Sequence, residues 1–436
     1  MAESEWIGAA EAARRLGIKQ ATLYSYVSRG VLTRRRAVGA GGTSGEGSDG
    51  SGRGGGPGKG SLFDPGEVEE LARRGRPRRP PGLAGLVIES GVTEIDGGRL
   101  WFRGFDALDL ARDWDFEDVC ELLWLGQPHP SLPPDAAQWQ ATPAAVAAGT
   151  AAQAALPAGT YPLERLQVIV PALAAADPLR LQFDPPAVAA AGRAIIAGLV
   201  DCLPPAGSSG PGQRADPGAI PGRLWPRLCP DEPSPGLLDA LRAALVLLAD
   251  HELAASTLAA RVAASVRADP YAVVATGLGA VGGALHGGAS LGAETMLAAA
   301  QDAAAAPRVV GELLRRGERV PGFGHFVYRG GDPRAGLLLA LVRSAVPASP
   351  RLAVVDAVLA EMHRRALPEP NIDFALAVLA TCAGMIRGAG EVIFAVARAA
   401  GWLAHALEEY TASTPLRPRA VYTGPAHRQA DPGHRE

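Results

Sequence analysis

Apolar residues along most of this chain recur every three or four positions, which is the spacing of an amphipathic helix. In the stretch LLDALRAALVLLADHELAASTLAARVAASV, Leu241, Leu245 and Leu248 follow this spacing and predict one helix over residues 237–266. The alternation of apolar and polar residues that marks strands is rare. The pattern therefore predicts a mainly α-helical protein.

Two stretches depart from the helical pattern. GVTEIDGGRLWF predicts two short strands joined by a turn at Asp96-Gly97-Gly98. In residues 203–236 prolines and glycines are too dense for any regular element. We expect this second stretch to be a flexible surface excursion between helices.

The front of the chain predicts small helices of its own. EAARRLG and IKQATLYSYVSRG are separated by Gly17, and Gly30 stands where the second helix would end. Residues 37–60 are nearly all small or polar and cannot bury enough surface to fold, so we expect a flexible linker or a disordered loop there. SLFDPGEVEELARRG then predicts another helix, with Asp64 as its cap and Pro65 as its first residue.

We place the main boundary near Pro81, which makes residues 1–81 a separate module. This module carries 14 Lys and Arg against 9 Asp and Glu, a balance of +5. The whole chain has a formal net charge of -3, so the remainder carries -8. The front is therefore the basic part of the molecule.

Composition limits the class of protein. With 436 residues, 47% of them hydrophobic, the chain can bury a sizeable core. No apolar run reaches the roughly 18 residues needed to cross a bilayer, and the first residues lack a signal sequence. The four cysteines are far apart, which argues against a disulfide framework or a zinc site. We expect a cytoplasmic protein without a metal.

Two histidines stand in unusual settings. His251 lies in an Asp-His-Glu triplet that interrupts an apolar helical pattern, where the charges are either partnered inside the protein or exposed on a stripe. His286 lies in GLGAVGGALHGGAS, where glycines allow close backbone approach to a ligand and would place a neutral imidazole at a helix start. An incidental histidine in a glycine-rich turn is the alternative there.

Two further segments carry candidate chemistry. His325 lies in VPGFGHFVYRGGDPRA, where Arg329 and Arg334 follow on a constrained backbone. Loops of this composition usually bind a ligand. The alternative interpretation is a basic loop that is exposed to solvent and has no ligand. In PNIDFALAVLA, Asp373 stands where an apolar helix begins, and its ordinary role there would be an N-cap.

Taken in order, these four segments resemble the citrate synthase family. The resemblance extends over residues 82–436, apart from the proline- and glycine-rich stretch 203–236. It includes the hairpin predicted near residue 97 and the C-terminal segment ARAAGWLAHALEEYTASTPLRPRAVYTG. It implies a large domain, 82–287 with 381–436, and a small domain, 288–380. It also implies a homodimer whose site lies between the two domains and needs no cofactor.

The family likeness assigns roles to residues of this chain. It implies a catalytic trio of His286, His325 and Asp373. Four residues would hold oxaloacetate, the last of them in the neighbouring subunit's site, namely His251, Arg334, Arg398 and Arg417. Arg329 would contact the CoA phosphates. Ser290, where many relatives have Asn, and Phe326, where a basic residue is common, depart from the pattern.

The implied reaction of the tricarboxylic acid cycle explains these residue types. A poorly solvated carboxylate such as Asp373 removes a methyl proton from acetyl-CoA. His286 stabilises the charge that develops on the thioester oxygen, and His325 serves the ketone oxygen of oxaloacetate. Guanidinium groups hold the two carboxylates of oxaloacetate.

The sequence leaves other functions open. A 2-methylcitrate synthase would use propionyl-CoA, and no residue separates it from a citrate synthase. AAEAARRLGIKQATLYSYVSRGVLTRR resembles the helix-turn-helix of MerR-like or excisionase-like DNA-binding proteins, in which residues such as Lys19, Gln20 and Arg29 would meet DNA. The chain would then be an enzyme with a docking or DNA-binding module, or a transcription regulator whose synthase-like part senses a ligand.

Overall fold

The computed structural model describes residues 6–16, 23, 27, 32–36, 61–73, 88–126, 139–207, 218–284, 286–420 and 422–424. The chain forms two compact units, Met1–Ile88 with Pro418–Glu436, and Glu89–Arg417. The predicted boundary near Pro81 lies outside the described residues.

The described part of the first unit is a small α/β module. Strand β3 (Ser61–Phe63) pairs antiparallel with both β1 (Ile7–Gly8) and β2 (Arg34–Arg36). Two helices accompany this sheet, α1 (Ala9–Arg15) and α2 (Pro65–Arg73). Among the described residues, the core of this unit consists of five buried side chains, those of Ala12, Leu23, Leu32, Phe63 and Val68.

One prediction for the first unit is confirmed, and two others concern residues that lie mostly or entirely outside the described ranges. Asp64 Oδ1 accepts a hydrogen bond from the amide of Gly66 at 2.7 Å, so Asp64 caps α2 as expected. The second predicted helix of the front module lies outside the described residues apart from positions 23 and 27. The linker 37–60 lies outside them entirely.

The second unit opens with the predicted hairpin. Strands β4 (Thr93–Asp96), β5 (Arg99–Phe102) and β6 (Phe105–Asp106) form an antiparallel sheet in that order. Gly97 and Gly98 form the turn with φ of +56° and +78°. Glycine adopts this left-handed conformation without steric cost, which confirms the predicted position of the turn.

The remainder of the described second unit is helical, as predicted. Its helices are α3 (Ala107–Asp113), α4 (Phe116–Leu125), α5 (Pro143–Ala154), α6 (Pro162–Ala175), α7 (Pro185–Asp201), α8 (Ile220–Leu228), α9 (Pro235–Leu248), α10 (Ala255–Ser265), α11 (Pro270–Val281), α12 (Gly288–Ala299), α13 (Ala306–Arg315), α14 (Pro333–Ala345), α15 (Pro350–Arg364), α16 (Ile372–Ala383) and α17 (Ala389–Thr411). The predicted division into a large and a small domain stays a prediction.

Helix α17 runs through the centre of this unit. Every residue from Ala389 to Leu407 is buried, and the helix packs against α7, α9, α10 and α11. A helix that is buried on all sides places even its polar residues in the interior. Its arginine, Arg398, is therefore held inside the protein. None of the described helices has the length and apolar character needed to span a membrane.

The prediction that residues 203–236 contain no regular element is wrong. Helix α8 lies inside this stretch and buries Leu224 and Trp225. Pro221 stands in its first turn, where the missing N–H would have no helical partner in any case. The amphipathic placement of the apolar residues therefore outweighs the number of prolines and glycines.

The prediction of one helix over 237–266 is also wrong. Helix α9 ends at Leu248 and α10 begins at Ala255, so residues 249–254 form a bend between them. Glu252 in this bend has a φ of +50°. The triplet interrupts the helix, and two of its side chains have partners in distant segments, because Asp250 lies 3.2 Å from His405 and His251 lies 3.1 Å from Tyr328.

Candidate active site

The glycine-rich loop that carries His325 is joined to the segment that precedes helix α16. The amide of Asn371 donates to the carbonyl of Gly322 at 2.9 Å, and the amide of Gly324 donates to the carbonyl of Glu369 at 2.8 Å. The side-chain amide of Asn371 also donates to the carbonyl of Gly324 at 2.9 Å. These three hydrogen bonds hold the two segments in register.

Close packing explains why glycine is needed in this loop. Gly322 has a φ of +82°, and a Cβ atom placed there would lie 2.8 Å from the Cβ of Phe374. A larger residue would therefore separate the loop from the helix. The glycine keeps the backbone of the His325 loop against the start of the helix that carries Asp373.

Asp373 is not the N-cap of α16, contrary to its ordinary sequence interpretation. Asn371 takes that role, since its Oδ1 accepts from the amides of Asp373 at 3.0 Å and Phe374 at 3.4 Å. The carboxyl group of Asp373 has no capping duty and is half-buried. Burial raises its pKa to about 7, although the nearby Arg334 and Arg398 oppose that shift.

Asp332 organises the side of the site formed by α14. Its two carboxylate oxygens accept hydrogen bonds from Nε and Nη2 of Arg334 at 2.9 and 2.8 Å. The same carboxylate accepts from the amide of Ile372 at 3.0 Å. Arg334 is only 2% exposed. Its buried charge is therefore paired within the protein, and Asp332 raises the pKa of Arg334 against the effect of burial.

Three rings meet beside this ion pair. The ring centroids of His251 and His325 lie 5.2 Å apart, and Tyr328 packs against both histidines. The Tyr328 hydroxyl lies 3.1 Å from Nε2 of His251, and the guanidinium of Arg334 lies 5.4 Å from the tyrosine ring centroid. The structure thus brings His251, His325 and Arg334 together.

Hydrogen bonding fixes the tautomer of His325. Its Nδ1 accepts from the backbone amides of Val327 at 3.0 Å and Tyr328 at 3.3 Å. A nitrogen that accepts cannot carry the ring proton of a neutral imidazole, so that proton is on Nε2. Burial and the charge of Arg334 lower the pKa of His325. The residue is therefore a neutral donor through Nε2.

His286 immediately precedes Gly287 and Gly288 at the start of α12, as the sequence predicts. Its Nε2 lies 2.7 Å from the hydroxyl of Ser256. Burial, assisted by the charge of Arg398, lowers the pKa of His286 to about 4. A neutral imidazole at this position remains available as a hydrogen-bond donor or acceptor.

Arg398 approaches from α17 and is 1% exposed. Its Nε donates to the carbonyl of Leu248 at 2.7 Å, and no carboxylate within the described residues forms a salt bridge with it. Burial lowers the pKa of Arg398 to about 10, while Asp250 and Asp373 raise it from a distance. The charge of Arg398 influences His251, His286 and Asp373 alike.

A cavity of about 830 Å³ adjoins the His325 loop. Its wall includes Gly322, Phe323 and Asn371, so it reaches the segments that carry His325 and Asp373. The wall also contains four arginines and two glutamates, namely Arg308, Arg316, Arg319, Arg387, Glu312 and Glu318, and of these Arg316 forms a salt bridge with Glu318 at 2.6 Å. The cavity combines an apolar wall with groups that bind anions.

Two predicted site residues lie at the surface. Arg329 is exposed and is not part of the wall of this cavity, and Arg417 is exposed on the arm that follows α17. Their predicted roles stay predictions. Of the two departures from the family pattern, Ser290 is buried in α12, whereas Phe326 beside His325 is 98% exposed.

Sequence reasoning did not identify Tyr328, Asp332 or Asn371 as site residues. Asp332 and Asn371 each precede a helix, at positions where a cap is favoured, and this signal was available for both. Tyr328 gave no comparable signal, because its contact with His251 joins residues 77 positions apart.

Comparisons with known proteins found relatives in both sequence and structure. The family model "Citrate synthase, C-terminal domain" matches residues 82–419. The chain is 33% identical to citrate synthase 2 of Bacillus subtilis over 369 residues, which is 79% of this chain and 95% of that protein. It is 30% identical to a 2-methylcitrate synthase of Mycobacterium tuberculosis over 374 residues, 80% of this chain and 91% of that protein. The crystal structure of citrate synthase from Thermotoga maritima is similar with a TM-score of 0.65 and 25% identity, covering 81% of this chain and 98% of that one.

Proposed function

Because this chain belongs to the citrate synthase family, we propose that its second unit condenses acetyl-CoA with oxaloacetate and water to give citrate and CoA. The observation that carries the proposal is the setting of Asp373. Its carboxyl has a pKa of about 7, and its neighbours include two buried arginines. Such a group is a base near neutral pH and lies where a dianionic substrate would be attracted.

The reaction begins with acetyl-CoA. The carboxylate of Asp373 removes a proton from the methyl group, and the electron pair moves to the thioester oxygen, giving an enolate whose oxygen accepts a hydrogen bond from His286. If Nε2 of His286 accepts from Ser256, its Nδ1–H is the donor toward the thioester oxygen. The neutral imidazole supplies this hydrogen bond without prior loss of a proton.

The carbon–carbon bond forms in the second step. The enolate carbon attacks the ketone carbon of oxaloacetate, and the ketone oxygen takes a proton from Nε2 of His325. Water then cleaves the thioester of citryl-CoA, which gives citrate and the free thiol of CoA. His251, Arg334 and Arg398 hold the carboxylates and orient the ketone.

The 830 Å³ cavity is the place we assign to CoA. Its apolar wall suits the pantetheine chain, and its arginines suit the phosphates. Because Phe323 and Asn371 belong to the wall, the thioester end would reach the loop of His325 and the helix of Asp373. Arg329 would add a contact at the surface.

We propose that the enzyme is a homodimer in which Arg417 of each chain completes the site of its partner. Mixing Asp373→Asn protein with Arg417→Ala protein tests this. Random exchange makes half of the dimers hybrids with one complete site, so about a quarter of wild-type activity should return. Absence of any recovery after subunit exchange would count against a shared site.

Free-thiol release tests the reaction itself. We expect release with oxaloacetate plus acetyl-CoA and none when oxaloacetate is omitted. Parallel assays with propionyl-CoA decide between this activity and 2-methylcitrate synthesis, a name that one similar relative carries. If oxaloacetate raises the melting temperature but no thioester yields thiol, the chain is a ligand sensor and the enzymatic proposal is wrong.

The first unit supports a second proposal, that of DNA binding. Three consecutive arginines form β2, of which Arg34 and Arg35 are exposed, and the guanidinium of Arg35 lies 4.4 Å from the ring centroid of Trp6. A basic strand beside two helices suits contact with phosphates.

A gel shift of the full chain with DNA tests this proposal, and the shift should weaken with added salt. Arg35→Ala should weaken it further while thiol release stays unchanged, and absence of any shift at low salt would exclude the proposal.

A further inference from the structure

The bend that carries His251 needs support from outside itself. Residues 249–254 are not helical, and Glu252 adopts a left-handed φ of +50°. A residue other than glycine is rarely stable in this conformation unless the surrounding structure holds it. The position of His251 therefore depends on what fixes the bend.

Helix α17 supplies the first two contacts. Arg398 Nε donates to the carbonyl of Leu248 at 2.7 Å, and the amide of Gly401 donates to the carbonyl of Ala249 at 2.9 Å. A Cβ atom at Gly401 would lie 2.5 Å from that carbonyl oxygen, so only glycine allows the helix to approach so closely. The last residue of α9 and the first residue of the bend are thus tied to α17.

His405 contacts the next residue, one turn further along α17. Its Nε2 lies 3.2 Å from Oδ2 of Asp250, and both side chains are fully buried. Its other nitrogen, Nδ1, lies 2.8 Å from Nη1 of Arg261. Because a guanidinium only donates, Nδ1 must accept, and the ring proton is then on Nε2 and points at Asp250.

Arg261 is itself held in place by two carboxylates. Its Nε donates to Glu409 at 2.7 Å and its Nη1 donates to Glu408 at 2.6 Å. Arg261 and Glu409 are buried, so this arrangement is rigid and poorly solvated. The network therefore fixes the tautomer of His405 rather than leaving it to solvent.

We propose that His405 is a positioning residue for His251. By anchoring Asp250 it completes the attachment of residues 248–250 to α17, and so holds the bend in the conformation that presents His251 to oxaloacetate. The inference rests on the proposed function, since it names oxaloacetate as the ligand of His251. Nothing in it requires His405 to touch the substrate.

Two amide substitutions that differ by one methylene group test this role. In His405→Gln the amide nitrogen reaches the position of Nε2 and still donates to Asp250, whereas in His405→Asn the side chain ends near Nδ1 and loses Asp250. We expect the KM for oxaloacetate to rise about tenfold in the Asn variant and less than about threefold in the Gln variant. The KM for acetyl-CoA should change by less than about twofold in both.

Tyr410→Phe is the matched control. It removes a partly buried hydrogen bond of the same helix, from the Tyr410 hydroxyl to the carbonyl of Ala268 at 2.6 Å, which does not involve residues 249–254. It should lower the melting temperature and leave the KM for oxaloacetate unchanged. Equal KM values for the two amide variants would overturn the inference, as would a loss of stability in the Asn variant without a change in KM.

Calorimetric binding of oxaloacetate separates this inference from the proposed function. If the wild type binds oxaloacetate but releases no CoA, the proposed catalysis fails and the affinity difference between the two variants still decides the role of His405. If the wild type is active and both variants bind oxaloacetate with wild-type affinity, only the inference about His405 fails.

Discussion

Two buried arginines reach the same site from different regions and are held in different ways. The guanidinium of Arg334, at the start of α14, donates hydrogen bonds to both carboxylate oxygens of Asp332. Arg398, in the middle of α17, is held by a backbone carbonyl and has no salt-bridge partner in the described part of the chain. Accordingly the pKa of Arg334 is raised, whereas burial lowers that of Arg398 to about 10.

The difference suggests that both arginines can face the ligand but that the Arg334 charge is already paired within the protein, whereas the Arg398 charge is not paired with any described carboxylate. The pair Arg334–Asp332 also binds the amide of Ile372, so it supports the fold around Asp373. The buried guanidinium of Arg398 has lost its hydration and, within the described residues, has no ion pair to offset the desolvation cost. A substrate carboxylate bound beside it would supply that ion pair. Binding energy for oxaloacetate should therefore come more from Arg398, and stability more from Arg334.

The largest effect is expected from Asp373, whose carboxyl lies in the field of both arginines. If it is the base, Asp373→Asn should lower kcat about 10³-fold. If it only balances the arginine charges, kcat should fall little and oxaloacetate should bind more tightly. Thiol release at saturating substrates, with calorimetric binding of oxaloacetate as the control for an intact site, distinguishes the two.

Removing each arginine in turn tests the comparison directly. Arg398→Gln should raise the KM for oxaloacetate about 100-fold, because a charged hydrogen bond to substrate is lost. Its free energy of unfolding should stay within about 1 kcal/mol of wild type or increase. Arg334→Gln should lower that free energy by about 3 to 5 kcal/mol, since Asp332 is left buried and unpaired.

Urea unfolding and steady-state kinetics on both variants measure these two quantities. The control is the double variant Arg334→Gln with Asp332→Asn, in which no unpaired carboxylate remains and part of the stability should return. Equal losses of stability in the two single variants would remove the distinction between the arginines.

The pH dependence of kcat/KM for acetyl-CoA sharpens the comparison. A base must be ionised, so with a pKa of about 7 the activity should fall about tenfold per unit below pH 7 and level off above it. Arg398 lowers this pKa, so the inflection should move to higher pH in Arg398→Gln. An unchanged inflection would mean that Arg398 exerts no field at Asp373.

Stability should respond to pH in the opposite sense. The folded state binds the proton of Asp373 more tightly than the unfolded state, so the ionised group costs stability as pH rises toward 7. Asp373→Asn should therefore melt at a higher temperature than wild type at pH 8. This difference should shrink between pH 8 and pH 5.

The smallest effect is expected at Tyr328, which lies on the Arg334 side and contacts His251. Tyr328→Phe removes one hydrogen bond between neutral groups, so the KM for oxaloacetate should rise about three- to fivefold. Tyr271→Phe is the control, since its hydroxyl donates to Asp177 away from the site at 2.8 Å. A larger rise than in Arg398→Gln would mean that orientation of His251 outweighs charge in binding.

Local patterns in the chain were enough to predict the helical class, the hairpin at Gly97-Gly98 and the cap at Asp64. These features depend on hydrogen bonds and side-chain periods within a few residues. The resemblance to citrate synthases supplied the proposed roles of the candidate site residues, including His251 and Arg398.

Contacts between distant segments determined the rest. The break after Leu248, the capping of α16 by Asn371 and the pairing of Asp250 with His405 each depend on partners outside the local pattern. A buried charge is stable only where the folded chain brings it a partner, and His405 lies 155 positions from Asp250. Helical periodicity carries no information about such a partner, so the bend and the tautomers of the histidines follow only from the assembled fold.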